Sequence, residues 1–198
     1  MTNILKIGIT GGIGSGKSIV SKVFKTLGIP TYNSDDRAKW LMNHDEKLIF
    51  QLKDYFGSDI YDSKGSLITT KLGAQVFSDK TKLAHLNSMV HPRVAEDFEE
   101  WNCKQTSPYI LKEAAIIFEH QIQKSLDAVI LVVSPIELRI KNIQKRDPYR
   151  TSADIVKIID KQMPDEEKIP LADYILYNNE KDLLIPQIVD IHHKIINR

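Results

Sequence analysis

The stretch that most constrains this chain is Gly11-Gly12-Ile13-Gly14-Ser15-Gly16-Lys17-Ser18. Gly11, Gly16, Lys17 and Ser18 take the fixed places of a phosphate-binding pattern: glycine, four free positions, glycine, lysine, then serine or threonine. Its flanks supply the required context. Residues 4–10 form an apolar run of strand length, and Ile19, Val20, Val23, Phe24 and Leu27 recur at helical spacing beyond the loop. A strand feeding a glycine loop that starts a helix turns backbone N–H groups onto phosphate oxygens, at the positive end of the helix. Lys17 then reaches the outer phosphates, and the Ser18 hydroxyl takes a place on Mg²⁺. Gly12, Ile13, Gly14, Ser15, Gly16, Lys17, Ser18 and Ile19 are the expected contacts of a nucleoside triphosphate. A dinucleotide fingerprint does not fit, because the third glycine after Gly12 and Gly14 would fall on Lys17.

The rest of the chain reads as alternating strands and helices. Gly28 is placed to cap the first helix, and residues 29–33 form a second strand weakened at its start by Pro30. Apolar spacing predicts helices around Ala38–Met42, over 48–56, and over 72–104, the last interrupted at His91-Pro92. Residues 58–70 are turn-rich. Strand-like runs return at 109–118 and 127–133, apolar enough to be covered on both faces. Ser134-Pro135-Ile136-Glu137 has the pattern of a capping box that starts a helix reaching Arg146. Residues 147–170 are charged and read as a mobile flap with a short helix at 155–162. A last strand at 174–177 and a helix carrying Leu184, Ile188, Ile191 and Ile195 close the chain. The alternation predicts a three-layer α/β domain on a five-stranded parallel sheet. Its core would span 1–40 and 106–198, with a helical insertion at about 41–105 and a lid at about 147–170, all in one domain over 1–198.

Composition excludes more than it identifies. At 198 residues and a formal net charge of +1, the chain gives no electrostatic reason to expect nucleic acid or an anionic membrane. One cysteine, Cys103, rules out an internal disulfide. Neither a cationic, apolar leader nor a run of membrane-spanning length is present, so the cytoplasm is the expected compartment.

A phosphate loop alone does not separate kinase, ATPase and GTPase. The guanine-reading Asn-Lys-x-Asp is missing, and Asp62-Ser63-Lys64-Gly65, which mimics a switch motif, has turn composition. A kinase needs a carboxylate near the acceptor hydroxyl and cations around the transferring phosphoryl. Asp35 follows the second strand, on the sheet edge that carries the loop. It can serve as a helix cap or face an acceptor, and spacing leaves both open. Asp36 is expected to face solvent. Arg146 and Arg150, at the end of the fourth-strand helix and in the flap, suit planar contact with phosphate or a solvated helix end. Lys112 and Glu113 stand inside an apolar strand, as an ion pair at its end or as groups pointing into the crevice.

Taken together, the motifs resemble those of the dephospho-coenzyme A kinase family. Gly8–Ser18 is similar to the family's opening, and Asn33-Ser34-Asp35 to its Asp-x-Asp. Leu86-Asn87-Ser88-Met89-Val90-His91-Pro92 resembles Leu-Asn-x-x-x-His-Pro, and Ile117-Phe118-Glu119 resembles Leu-Phe-Glu. Lys145-Arg146-Asp147 and Ala172-Asp173-Tyr174 with Asn178 complete six motifs in the family's order. The resemblance implies a nucleoside monophosphate kinase-like P-loop core, a helical coenzyme A lobe and a lid. It implies ATP-dependent phosphorylation of the ribose 3′-hydroxyl of dephospho-coenzyme A, with ATP as co-substrate and Mg²⁺ on Ser18. Asp35, Lys17 and Arg146 become the expected catalytic residues, and Arg150 and Asn178 join the loop as nucleotide contacts. Four positions depart from the pattern: Asn33 for aspartate, Ile19 for threonine, and Thr69 and Asn142 where arginines are expected. The alternatives are a P-loop kinase of another small hydroxyl or nucleoside phosphate acceptor, and a non-catalytic nucleotide-dependent switch protein.

Overall fold

The computed structural model describes residues 4–77 and 79–198; residues 1–3 and Ser78 of the expected 1–198 domain lie outside the described residues. The chain forms two compact units, residues 34–104 and the remainder.

The larger unit is built on five parallel strands: β1 (Leu5–Thr10), β2 (Thr31–Asn33), β3 (Tyr109–Glu113), β4 (Ala128–Val133) and β5 (Tyr174–Tyr177). Their order across the sheet is β2-β3-β1-β4-β5. Side chains alternate between faces. Ile7, Ile9, Tyr109, Leu111, Ala128, Ile130 and Val132 point to one face, against α1 (Lys17–Thr26) and the C-terminal helix. There they meet Val20, Phe24, Ile188, Ile191 and Ile195, all nearly or completely buried. Each such side chain contributes about 1.5–3 kcal/mol by leaving water. The opposite face packs Val129 against Ala114, Ile117 and Phe118, with Leu126 and Met163 beside them.

Two strands are shorter than the sequence predicts. Residues 29–30 do not join β2, where Pro30 has no N–H to give and only its carbonyl reaches Leu111. β3 stops at Glu113, and residues 115–120 form a run of turns that buries Ile117 and Phe118 beneath the sheet. The capping box at Ser134 does not form: its buried hydroxyl has no hydrogen-bond partner, and Pro135 occupies the cap of the following helix.

The smaller unit comprises α2 (Ser34–His44), α3 (Glu46–Phe56), α4 (Thr69–Phe77) and α5 (Lys80–Asn102) around Leu41, Leu48, Leu52, Ile60, Leu72, Val90, Val94 and Phe98. Asp45 caps α3 by accepting from the Leu48 N–H at 2.8 Å and pairs with Arg93 of α5. The Arg37–Asp97 pair joins α2 to α5. The sequence reading put the start of the helical lobe at about residue 41; this unit begins at Ser34, because α2 follows β2 directly. His91-Pro92 does not interrupt the helix. Pro92 lies inside α5 on its exposed side, where a carbonyl left without its N–H partner meets water, while Val90, Val94 and Phe98 hold the buried side. Asp62-Ser63-Lys64-Gly65 is a turn, with the Asp62 carboxylate accepting from the N–H groups of Lys64 and Ser66.

In the larger unit, α6 (Ile136–Arg146), α7 (Ser152–Ile159), α8 (Asp165–Lys168) and α9 (Leu184–Ile196) complete the chain. The segment read as a flap is folded onto its own unit. Ile155 and Lys168 are fully buried, and Lys168 pairs with Glu119 at 2.9 Å.

Candidate active site

At the carboxyl end of β1, residues 11–16 form the loop that α1 continues. Gly16 has φ 97°, in the left-handed region, and a Cβ there would collide with the Asn178 amide. Only glycine lets the chain enter the helix at that point. The loop is tied internally: the Ser15 N–H donates to Gly12 O at 3.1 Å, and Lys17 Nζ donates to Gly11 O at 2.7 Å and Gly12 O at 3.2 Å. Lys17 therefore lies across the loop with its ammonium over the glycines.

Glu113 extends the face of β3 that carries Tyr109 and Leu111, so its carboxylate arrives where α1 begins. Glu113 Oε1 accepts from the Ser18 hydroxyl at 3.2 Å, with Glu113 only 5% exposed. This answers half of the Lys112–Glu113 question: Glu113 faces the loop, and Lys112 is buried beside it on the alternate side of the strand. The Ser18 and Glu113 oxygens are hard donors of the kind Mg²⁺ prefers alongside phosphate oxygens and water.

Asn178, just past β5, donates from Nδ2 to Ser15 O at 2.9 Å, and its own N–H donates to Val133 O. Asn142 of α6 donates to Gly14 O at 3.0 Å. An amide thus stands on the loop where the family pattern has arginine. Ile19 is different. Its side chain is largely exposed, and its N–H is taken by Gly16 O at 2.9 Å as part of α1.

The guanidinium against the loop is Arg139, which the sequence reading did not single out. It is 5% exposed and lies so close over Gly12 that any Cβ there would overlap it. Arg139 Nε donates to Ile13 O at 3.0 Å, one Nη donates to Gln162 Oε1 at 3.3 Å, and the other faces Asp165 at 3.7 Å. Burial lowers its pKa, and the Asp165 carboxylate opposes that shift. Gln162 Oε1 also accepts from the Ile13 N–H at 2.8 Å. Burial raises the Asp165 pKa, against the pull of Arg139, Lys168 and Lys17.

Arg146 and Arg150 turn elsewhere. Arg146 sits at the exposed end of α6 and grips Asp147 at 3.0 Å, and Arg150 Nε donates to the same carboxylate at 3.3 Å. Both guanidiniums hold Asp147 below the usual carboxylate range, Arg146 foremost through its hydrogen bond. Asp35 is the second residue of α2, inside its first turn rather than at the cap. Asp36 faces solvent, with Lys39 at 3.6 Å. Among the described residues no cluster of three or more His, Cys, Asp or Glu could hold a metal alone, and no helix is long and apolar enough to cross a membrane.

Comparison with known proteins gives a consistent picture. The family model described as dephospho-CoA kinase matches residues 5–183. The chain is 37% identical to the dephospho-CoA kinase of Bacteroides fragilis over 188 residues, 94% of this chain and 91% of that one. It superposes on a Thermus thermophilus crystal structure with a TM-score of 0.83 at 27% identity, covering 98% and 97% of the two chains. The dephospho-CoA kinase of Campylobacter jejuni shares the fold at a TM-score of 0.70 and 22% identity, with 97% of each chain covered.

Proposed function

The chain belongs to the dephospho-CoA kinase family, and from that premise we propose how its residues carry out the family's reaction. That reaction is the ATP-dependent phosphorylation of the ribose 3′-hydroxyl of dephospho-CoA, giving CoA and ADP in the final step of CoA synthesis. The observation that carries our reading is the loop: glycine amides at the start of α1, with the Lys17 ammonium lying across Gly11 and Gly12.

The loop amides and Lys17 bind the phosphates of ATP, and the fixed donors neutralise charge as it develops on the transferring phosphoryl. The Ser18 hydroxyl would hold Mg²⁺, with the Glu113 carboxylate orienting it. The chemistry a bound Mg²⁺ would supply there is withdrawal of charge from the phosphate oxygens. The Asp35 carboxylate accepts the proton of the 3′-hydroxyl as its oxygen bonds to the γ-phosphorus and the bond to the β-phosphate oxygen breaks. Arg146 and Arg150 leave Asp147 for phosphate when residues 147–170 close as a lid, excluding water so that phosphoryl passes to the alcohol. The helical unit supplies the surface for the acceptor, and the enzyme works in the cytoplasm.

The test is ADP release from Mg-ATP with and without dephospho-CoA, beside a panel of other hydroxyl acceptors. Turnover should depend on dephospho-CoA. Equal turnover with another alcohol would reassign the acceptor, and nucleotide binding without any acceptor-dependent turnover would make the chain a binding protein.

A further inference from the structure

Two elements converge on one corner of the loop. From α6 comes Arg139, buried over Gly12 and bonded to Ile13 O; from the 160–166 segment come Gln162 and Asp165. Gln162 Oε1 accepts two bonds at once, from the Ile13 N–H at 2.8 Å and from the Arg139 guanidinium at 3.3 Å. The Asp165 carboxylate faces the other side of that guanidinium at 3.7 Å. A backbone N–H of the loop, an arginine fork and acceptor oxygens on both are the bonds a phosphate group makes at such a loop.

We infer that Gln162 and Asp165 are an internal stand-in for nucleotide phosphate, and that Arg139 is a phosphate-contacting residue that passes from them to ATP. This rests on the reading that the loop binds ATP. A phosphate oxygen can take the Ile13 N–H only by displacing the Gln162 side chain, so nucleotide binding and release of that side chain from the loop are one exchange.

The chemistry of the two acceptors suits an exchange. A neutral amide oxygen satisfies a buried N–H but is a weaker acceptor than a charged phosphate, whose hydrogen bonds are roughly twice as strong. A glutamate at 162 would compete with phosphate on equal terms; glutamine yields. Asp165 keeps the buried guanidinium from standing uncompensated, which low dielectric would penalise. Gln162 and Asp165 also line a cavity of about 600 Å³, together with Ser134, Ile159 and Met163. Their side chains therefore have space to move into without displacing core atoms.

The experiment is the affinity of the full-length protein for a non-hydrolysable ATP analogue, measured calorimetrically for four variants. Gln162→Ala removes the competing acceptor and should tighten binding, roughly two- to tenfold for one neutral hydrogen bond. Gln162→Glu strengthens the competitor and should weaken binding by a similar factor. Asp165→Asn should tighten it, and Arg139→Ala should weaken it on the order of tenfold or more. The opposite signs matter, because a merely structural Gln162 would lose affinity in both variants. Amide exchange at Ile13 gives a second readout: protected in the parent protein, fast in Gln162→Ala, and protected again with the analogue. Unchanged or weaker binding in folded Gln162→Ala overturns the stand-in, and unchanged binding in Arg139→Ala overturns the role of that arginine. Turnover of the parent protein with dephospho-CoA is measured alongside. If the parent turns over while no variant shifts affinity, only this inference fails; if the parent binds no analogue, the nucleotide reading fails with it.

Discussion

The Ser18 hydroxyl donates to Glu113 Oε1 at 3.2 Å across the junction of α1 and β3, with Glu113 almost wholly buried. A carboxylate so placed fixes the rotamer of the hydroxyl and raises its electron density, as an outer partner does for a metal ligand. Glu113→Gln keeps the shape but halves the acceptor capacity. The expected result is a Mg²⁺ requirement raised about 10–100-fold, with ATP-analogue affinity in the absence of metal unchanged. Titration of the rate with Mg²⁺ measures it, and a normal requirement would return Glu113 to a purely structural bond.

Lys17 holds two carbonyls of the loop it serves. On the proposed reading Lys17→Ala removes a charge from the transferring phosphoryl, and turnover should fall on the order of 10²-fold or more. The melting temperature should move little, since each bond to a half-buried carbonyl is worth only about 1 kcal/mol. Steady-state kinetics beside a thermal melt decide it; near-normal turnover would end the phosphate-loop assignment.

Asp35 lies in the first turn of α2, where either a carboxylate or an amide is tolerated; the helix dipole favours the charge by about 0.3–1 kcal/mol. Asp35→Asn should therefore melt close to the parent protein. If the carboxylate takes the ribose proton, turnover falls about 10²–10⁴-fold with ATP affinity retained. Full activity would make Asp35 a helix-terminal charge only, and loss of ATP binding would make it part of the metal site.

The loop and the strands were legible in the sequence because each is a local pattern, glycine spacing or an apolar run; Asn178 came only with the family resemblance. Arg139 and Gln162 were not. Each is an ordinary polar residue in a charged stretch, and only the packing of α6 and residues 160–166 on the loop brings them to Ile13. Arg146 and Arg150 have the planar heads that suit phosphate, yet their placement is governed by the nearest carboxylate, Asp147. Pro92 misled for a related reason, since a proline ends a helix only when nothing holds the turns on its buried side. Ser134 shows the limit of a capping pattern: the residues are right, but the hydroxyl is buried away from the N–H groups it would cap.

In the helical unit, Asp45 links the start of α3 to Arg93 of α5, with Arg93 Nε at 2.8 Å. Burial raises the Asp45 pKa, but the Leu48 N–H and Arg93 outweigh it and leave the carboxyl below its ordinary value of 3.8. A folded-state value below the unfolded one means stabilisation that is complete above 3.8 and lost as pH falls through the folded value. Asp45→Asn retains a capping oxygen and removes the ion pair. It should cost about 1–3 kcal/mol at pH 7, and the gap to the parent should close below pH 3.8. Urea unfolding at both pH values tests the sign, and an equal gap at each would show that the charge contributes nothing.

The strand order has a consequence for the time course of folding. β2 and β3 are neighbours in the sheet and parallel, yet residues 34–108 lie between them. The chain must return from the carboxyl edge to the amino edge before that ladder can close, and closing a long connection carries an entropic penalty that grows slowly with its length. Folding the four helices shortens the effective tether. The β1–β3 connection spans the same helices, but β1 is held on both sides by β3 and β4, whereas β2 is a three-residue edge strand on β3, so it should be the last strand to acquire protected amides during refolding. Asn33, and with it the turn into Asp35, would then be set only after the rest of the sheet is in place.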